Sequence, residues 1–251
     1  MGQVIAVLNQ KGGVGKTTTT INLGAALAKS GKFVLIVDLD PQANATSGLG
    51  IGKSQLTKSV YNVLLGQESI QGVIIDTSVE GLQIAVSSAV LAAAEQELVS
   101  VMSRETVLKR SLDSLKYDYV LIDCPPSLGL LSINALVAAN SVLIPVQTEF
   151  YALEGLGLLM QTIQRVQQGL NPSLKLLGIA MTMVDSRNSL SSQVIDEVKK
   201  HFGDYMFSTQ IPRNVRLAES PSYGRTIFDH DKWSKGARAY KSLAKEVMKR
   251  G

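Results

Sequence analysis

The 251-residue chain reads as an α/β protein, a mostly parallel twisted sheet with helices on both faces, organised as a single domain over residues 1–251. Three observations predict this. Short apolar runs alternate with longer helix-like stretches. The runs at Val4 to Leu8, Phe33 to Val37 and Tyr119 to Ile122 are apolar on both faces, as strands of a covered parallel sheet are. No linker, low-complexity tract or repeat divides the chain, and 45% hydrophobic with 18% charged residues is a composition that buries a core rather than staying disordered.

The first run feeds Lys11-Gly12-Gly13-Val14-Gly15-Lys16-Thr17-Thr18, and a helix-like segment follows from Lys16 to Ser30, ended by Gly31. A strand, a glycine-rich turn and a helix start make a phosphate cradle. Free backbone N–H groups and the positive helix end converge there, and glycines let the backbone close around oxyanions. Lys16 is then placed for the β and γ phosphates and the Thr17 hydroxyl for Mg²⁺. The motif is a P-loop, with two departures from G-x-x-x-x-G-K-S/T: Gln10 replaces the first glycine, and Lys11 is an added lysine. This spelling resembles the deviant Walker A motif, K-G-G-x-G-K-S/T, of the ParA/MinD family of P-loop ATPases. The resemblance implies that residues 11–18 bind ATP and that Lys11 reaches across a dimer interface to the partner's nucleotide.

The strand at Phe33 to Val37 delivers Asp38 and Asp40 to its C-terminal edge, where open α/β sheets place ligands, and Pro41 stops the strand. Acidic residues also end strands as plain turn formers. The run Asp38-Leu39-Asp40-Pro41-Gln42-Ala43-Asn44 is similar to a second ParA signature. That likeness assigns Asp40 to orienting the attacking water and puts Asp38 nearer the metal. Tyr119-Val120-Leu121-Ile122-Asp123 is similarly apolar and ends in a carboxylate, matching a Walker B element whose aspartate supports Mg²⁺. Cys124 beside it is a small core residue, and Pro125-Pro126 turn the chain out of the sheet. Between these signatures we expect a loop at Thr46 to Gly52, a short helix at Val60 to Leu65, a strand at Leu82 to Val86 and one or two helices over Val90 to Leu115. No catalytic constellation stands out there, Glu95, Glu97 and Glu105 reading as solvated helix faces.

Ser141 to Val146 and Leu174 to Met183 read as further strands. Residues 147–155 fit a segment that senses the nucleotide state, and Leu190 to Phe202 a helix whose Lys199, Lys200 and His201 complement its dipole. A strand-like run from Met206 to Ile211 precedes Pro212-Arg213-Asn214-Val215-Arg216-Leu217-Ala218-Glu219-Ser220-Pro221, a third family signature. The resemblance implies that Pro212 and Asn214 border the adenine, Asn214 through the donor and acceptor of its amide. It also makes Arg187, Arg213 and Arg216 candidate DNA contacts.

The net charge of +4 is unevenly spread: residues 201 to 251 hold 10 Lys and Arg against 5 Asp and Glu, and residues 1 to 200 hold 15 against 16. That excess suits a polyanion. In the last helix, about Gly236 to Arg250, Tyr240, Leu243, Ala244 and Val247 form an apolar stripe, and Arg238, Lys241, Lys245 and Lys249 a cationic one. Bulky residues for a membrane-surface helix are nearly absent, and no apolar run approaches a membrane span. A single cysteine suits a reducing cytosol and cannot supply its share of an iron–sulfur cluster held between two subunits. The Soj-like ParA branch fits best. Its relatives imply an Mg²⁺-dependent ATPase that forms an ATP-bridged homodimer, binds double-stranded DNA non-specifically and is stimulated by a ParB-like partner. A cytoplasmic, nucleoid-associated location follows, with no stable membrane insertion and no N-terminal helix-turn-helix. The alternative is a MinD-like or cargo-positioning ATPase on membrane or nucleoid.

Overall fold

A computed structural model describes residues 2–52, 56–149 and 152–250. Its first half runs β1 (Gln3–Val7), α1 (Lys16–Ala28), β2 (Val34–Asp38), α2 (Asn44–Gly48), α3 (Val60–Leu64), β3 (Ile74–Asp76), β4 (Leu82–Ala85), α4 (Leu91–Glu97) and α5 (Val107–Leu112). The second half runs β5 (Tyr119–Asp123), α6 (Leu130–Ala138), β6 (Ser141–Gln147), α7 (Ala152–Gly169), β7 (Lys175–Thr182), α8 (Ser189–Phe202), α9 (Val215–Glu219), α10 (Ile227–His230) and α11 (Lys235–Arg250). The strands form one sheet in the order β3-β4-β2-β5-β1-β6-β7. Every pairing is parallel except the edge pair β3 and β4.

Alternate side chains along each strand enter opposite cores, because a strand repeats every two residues. Val4, Ala6 and Leu8 pack with α3 to α8, whereas Ile5 and Val7 pack with α1, α2, α9, α10 and α11. The sheet is therefore covered on both sides, which is why its central strands are apolar throughout. Gly31 (φ 81°) turns the chain out of α1, letting the Lys32 amide bond back to the Leu27 carbonyl at 3.2 Å. On α11 the expected stripe holds: Tyr240, Leu243, Ala244 and Val247 are buried, and Arg238, Lys241, Lys245 and Lys249 face outward.

Two expectations change. Residues 44–48 are helical, not loop, although Asn-Ala-Thr-Ser-Gly has little helix propensity and its N-cap, Ala43, has no side-chain acceptor. The missing cap comes from the neighbouring strand: the Asp38 carboxylate accepts from the Thr46 amide at 2.8 Å. Residues 206–211 are not a strand. They meet β7 through an isolated bridge of Met206 with Ile179, the Phe207 amide on the Ile179 carbonyl and the Ile211 amide on the Met181 carbonyl. The amides between them, Ser208 and Thr209, donate instead to the Glu246 carboxylate of α11, each at 2.8 Å, so no ladder continues. Helix α6 carries no amphipathic signal because it is buried nearly all round. The other expected strands and the helices α1, α3, α8 and α11 lie within a residue or two of their anticipated limits. Phe150 and Tyr151, part of the expected sensor segment, lie outside the described residues.

Candidate nucleotide site

Strand β1 lies at the centre of the sheet, between β5 and β6, and ends in the loop that starts α1. The connection from β1 runs one way, to β2, and that from its neighbour β5 runs the other, to β6, a divergence at which open α/β sheets form a ligand crevice. Gly13 (φ 77°) and Gly15 (φ 87°) take the left-handed conformation that turns this loop, and nothing stands within 4 Å of where a Gly13 Cβ would be. The loop and the residues that lead into it are braced from β6 and β7. Thr182 Oγ1 donates to the Val14 carbonyl at 2.8 Å, and Asn9 Nδ2 to the Pro145 carbonyl at 2.7 Å.

The two lysines of the loop occupy different surroundings. Lys16 is only 7% exposed, and its Nζ donates to the Lys11 carbonyl at 3.0 Å. Burial lowers its pKa, opposed by the charges of Asp123 and Asp40. The Lys11 side chain is 49% exposed on the rim and forms an ion pair with Glu149. Thr18 lies on the base side of the loop, described below.

Asp123, at the end of β5, sits in register with Asp38 on β2. Its carboxylate accepts from Thr17 Oγ1 at 2.7 Å and from Thr20 Oγ1 at 3.2 Å. Both aspartates are fully buried, and burial raises both pKa values, with neighbouring carboxylates adding to the rise. Negative charge crowded into a dry site is stabilised by a cation, and the hydroxyl and carboxylate oxygens of Thr17 and Asp123 are the hard donors magnesium takes. Among the described residues there is no group of three His, Cys, Asp or Glu able to hold a metal by itself. That suits an ion that completes its shell with water and phosphate oxygens.

Asp38, expected near the metal, stands beside Asp123 in the sheet and is itself hydrogen-bonded. Its Oδ2 accepts from both the Thr46 amide (2.8 Å) and Thr46 Oγ1 (2.7 Å), and its Oδ1 accepts from the Asp40 amide at 3.3 Å. It anchors the loop that follows. Asp40 is 7% exposed. Its Oδ1 accepts from the Gln42 amide at 2.9 Å, and its carbonyl accepts from the Ala43 amide and from Ser87 Oγ, each at 2.8 Å.

A mainly apolar pocket of about 380 Å³ opens beside the loop, lined by Gly15, Thr18, Met183, Pro212, Asn214 and Tyr240 among others. Pro212 and Asn214 thus meet the phosphate loop from a segment some two hundred residues away in the chain. Asn214 Oδ1 caps α9 by accepting from the Leu217 amide at 3.2 Å. Tyr240 shares a 3.1 Å hydrogen bond with Thr19, joining α11 to α1 behind the pocket.

The AAA domain family model matches residues 2–176. The sporulation initiation inhibitor protein Soj of Bacillus subtilis is 55% identical over 253 residues, with 100% of each chain covered. The chromosome partitioning protein ParA of Myxococcus xanthus is 51% identical over 252 residues, covering 100% of this chain and 89% of its own. The chain belongs to the Soj/ParA family of chromosome-partitioning ATPases. Among solved structures, cobyrinic acid a,c-diamide synthase of Mycobacterium smegmatis with bound ADP and magnesium superimposes with a TM-score of 0.87 at 41% identity. It covers 99% of this chain and 95% of its own.

In this Soj/ParA chain, of the three arginines expected at DNA, Arg213 lines the pocket beside the loop and the other two are paired with acids. Arg187 forms a two-pronged pair with Asp185 (3.0 and 2.9 Å), which holds the Asp185 carboxyl down at about 2. Arg216 pairs with Glu219 at 3.0 Å and lies 3.8 Å from Asp231. The Arg213 side chain is exposed while its amide donates to the Val184 carbonyl at 3.0 Å. A cleft of about 360 Å³ next to them is lined by Ser186, Pro212, Lys235 and Arg238, so α11 contributes cations to the same side. The sequence reading passed over Thr46 and Ser87, which bond to Asp38 and to Asp40. Ser87 lies 47 positions from its partner, and no local pattern marks such a pairing.

Proposed function

We propose that this chain is a partition ATPase that binds ATP and magnesium and dimerises around the nucleotide. In that state it grips double-stranded DNA without sequence preference, and it hydrolyses ATP when a ParB-like partner engages it. The observation that carries this reading is the contrast between two lysines of one loop. Lys16 is buried in the cradle, and Lys11 stands half-exposed on its rim. A rim lysine is placed to serve a nucleotide held by a second copy docked on that face.

Phosphoryl transfer needs charge neutralisation and an in-line water more than covalent catalysis. Lys16 leaves the Lys11 carbonyl for the β and γ phosphates, while residues 12–15 surround them with amide donors. Thr17 and Asp123 would hold the magnesium, whose positive charge lowers the cost of charge developing on the phosphates. Asp40 orients the attacking water. Lys11 exchanges Glu149 for the partner's nucleotide, so this charge arrives only on dimerisation, and ATP binding and association are thermodynamically linked. Pro212 and Asn214 border the adenine. The mycobacterial neighbour, solved with ADP and magnesium, supports the same pair of ligands here.

Arg187, Arg213 and Arg216, with the basic excess of residues 201–251, supply the phosphate contacts on DNA. No helix among the described residues is long and apolar enough to cross a membrane. The outward face of α11 is cationic without bulky apolar partners, which favours the nucleoid in the cytoplasm over a membrane surface. The Myxococcus relative, named for chromosome partitioning, is 51% identical over the whole chain, against 41% for the synthase, and this favours partition over a biosynthetic role. Co-sedimentation with DNA in ATP, ADP or no nucleotide tests the proposal. Pelleting with ATP alone is expected, and equal binding in all three conditions contradicts it.

A further inference from the structure

We infer that Thr46 and Ser87 are positioning residues for Asp40, forming a buried clasp that fixes the hydrolytic loop; the inference rests on the role proposed for Asp40. The clasp is a continuous chain of bonds. Asp38 Oδ2 accepts from Thr46 Oγ1 at 2.7 Å, Thr46 Oγ1 accepts from the Ser87 amide at 3.0 Å, and Ser87 Oγ donates to the Asp40 carbonyl at 2.8 Å. Asp38, Thr46 and Ser87 are all fully buried. Because the Thr46 hydroxyl gives its one proton to Asp38, its lone pairs remain for the Ser87 amide, and both groups are satisfied only together.

The geometry explains why such a clasp is needed. Between Asp40 and α2 the chain passes through Ala43 at φ 51°, a left-handed conformation that strains a residue with a side chain. Strained backbone persists only where its surroundings over-determine it. Here they do so at both ends: the Asp40 amide donates to Asp38 and its carbonyl accepts from Ser87, while the Thr46 amide is held by Asp38. Strand β4 supplies the rigid post. It pairs with β2 in register up to Val37 and Ala85, and Ser87 follows two residues later. Its next residue, Ser88, bonds to Ser59, the N-cap of α3, at 2.9 Å, so the post is itself tied down. A carboxylate that must aim a water in line tolerates little displacement, and an error near 1 Å can cost about a hundredfold in rate.

Thr46→Val keeps the volume and removes the hydroxyl; Thr46→Ser keeps the hydroxyl. Thr46→Val is expected to lower kcat for ATP hydrolysis by about tenfold to a hundredfold, with KM for ATP and ATP-driven dimerisation within about twofold of the parent. Thr46→Ser recovers most of the loss, and Ser87→Ala falls between. Without nucleotide, hydrogen exchange at the amides of residues 40–46 is expected to speed up in Thr46→Val and Ser87→Ala while α1 and β5 stay protected. Unchanged exchange there, parental kcat in Thr46→Val, or a Thr46→Ser as slow as Thr46→Val would each overturn the clasp. A parent that hydrolyses no ATP sinks the function proposed for the chain, and the exchange measurement then decides the clasp by itself.

Discussion

At the scale of single residues, the loop separates two ammonium groups by burial alone. Lys16 sits over Asp123 and Asp40 in a dry cradle, and Lys11 faces solvent. Lys16→Ala removes the only lysine of the loop that is inside, and isothermal titration is expected to find no measurable ATP–magnesium binding. Asp40→Ala leaves the cradle and rim intact, so it is expected to bind ATP, dimerise and stall, with hydrolysis down by about a hundredfold or more. Retained turnover in that variant removes Asp40 from the mechanism. Lys16, Thr17 and Asp123 were legible in the sequence because each stands in a contiguous motif whose chemistry names its neighbours. The work of Asp38 and the acceptor of Asn214 were not, because their partners, Thr46 and Leu217, are chosen by the local path of the backbone. Thr46 and Ser87 became visible only once β4 was laid beside β2.

At the scale of elements, the central strands and α11 were readable because burial repeats along them, on both faces of a strand or on one stripe of a helix. Residues 206–211 have a strand's composition, yet Glu246 takes two of their amides. Glu246→Ala is expected to cost about 1–2 kcal/mol of stability by leaving those donors short of a partner, measured by urea unfolding. A change below about 0.3 kcal/mol counts against that reading, being smaller than a single ordinary hydrogen bond contributes. The arginines of the 185–188 turn and of α9 are held by Asp185 and Glu219, so on the proposed reading DNA phosphates displace those acids. Arg187→Ala and Arg216→Ala are each expected to weaken binding evenly across DNA sequences and to make its salt dependence shallower by about one unit of slope. Fluorescence anisotropy at several salt concentrations checks this, and a sequence-dependent loss would contradict phosphate contact.

At the scale of the whole molecule, one sheet collects at its C-terminal edge the phosphate loop of β1, the Asp40 loop of β2, Asp123 of β5 and the Lys11 partner Glu149 after β6. The pocket beside the phosphate loop and the cationic cleft share Pro212, so on the proposed reading nucleotide and DNA surfaces are built on one segment. Fold class and edge were legible from the order of strands and motifs; the place of Tyr240 in the pocket was not, because it depends on how α11 packs against α1 through Tyr240 and Thr19. The central claim is that ATP joins two copies through Lys11. Sedimentation velocity of Asp40→Ala and of the double variant Lys11→Ala/Asp40→Ala, each in saturating ATP and magnesium, tests it most directly. A dimer for the single variant and a monomer for the double are expected; a monomer for both, or a dimer for both, would contradict the account.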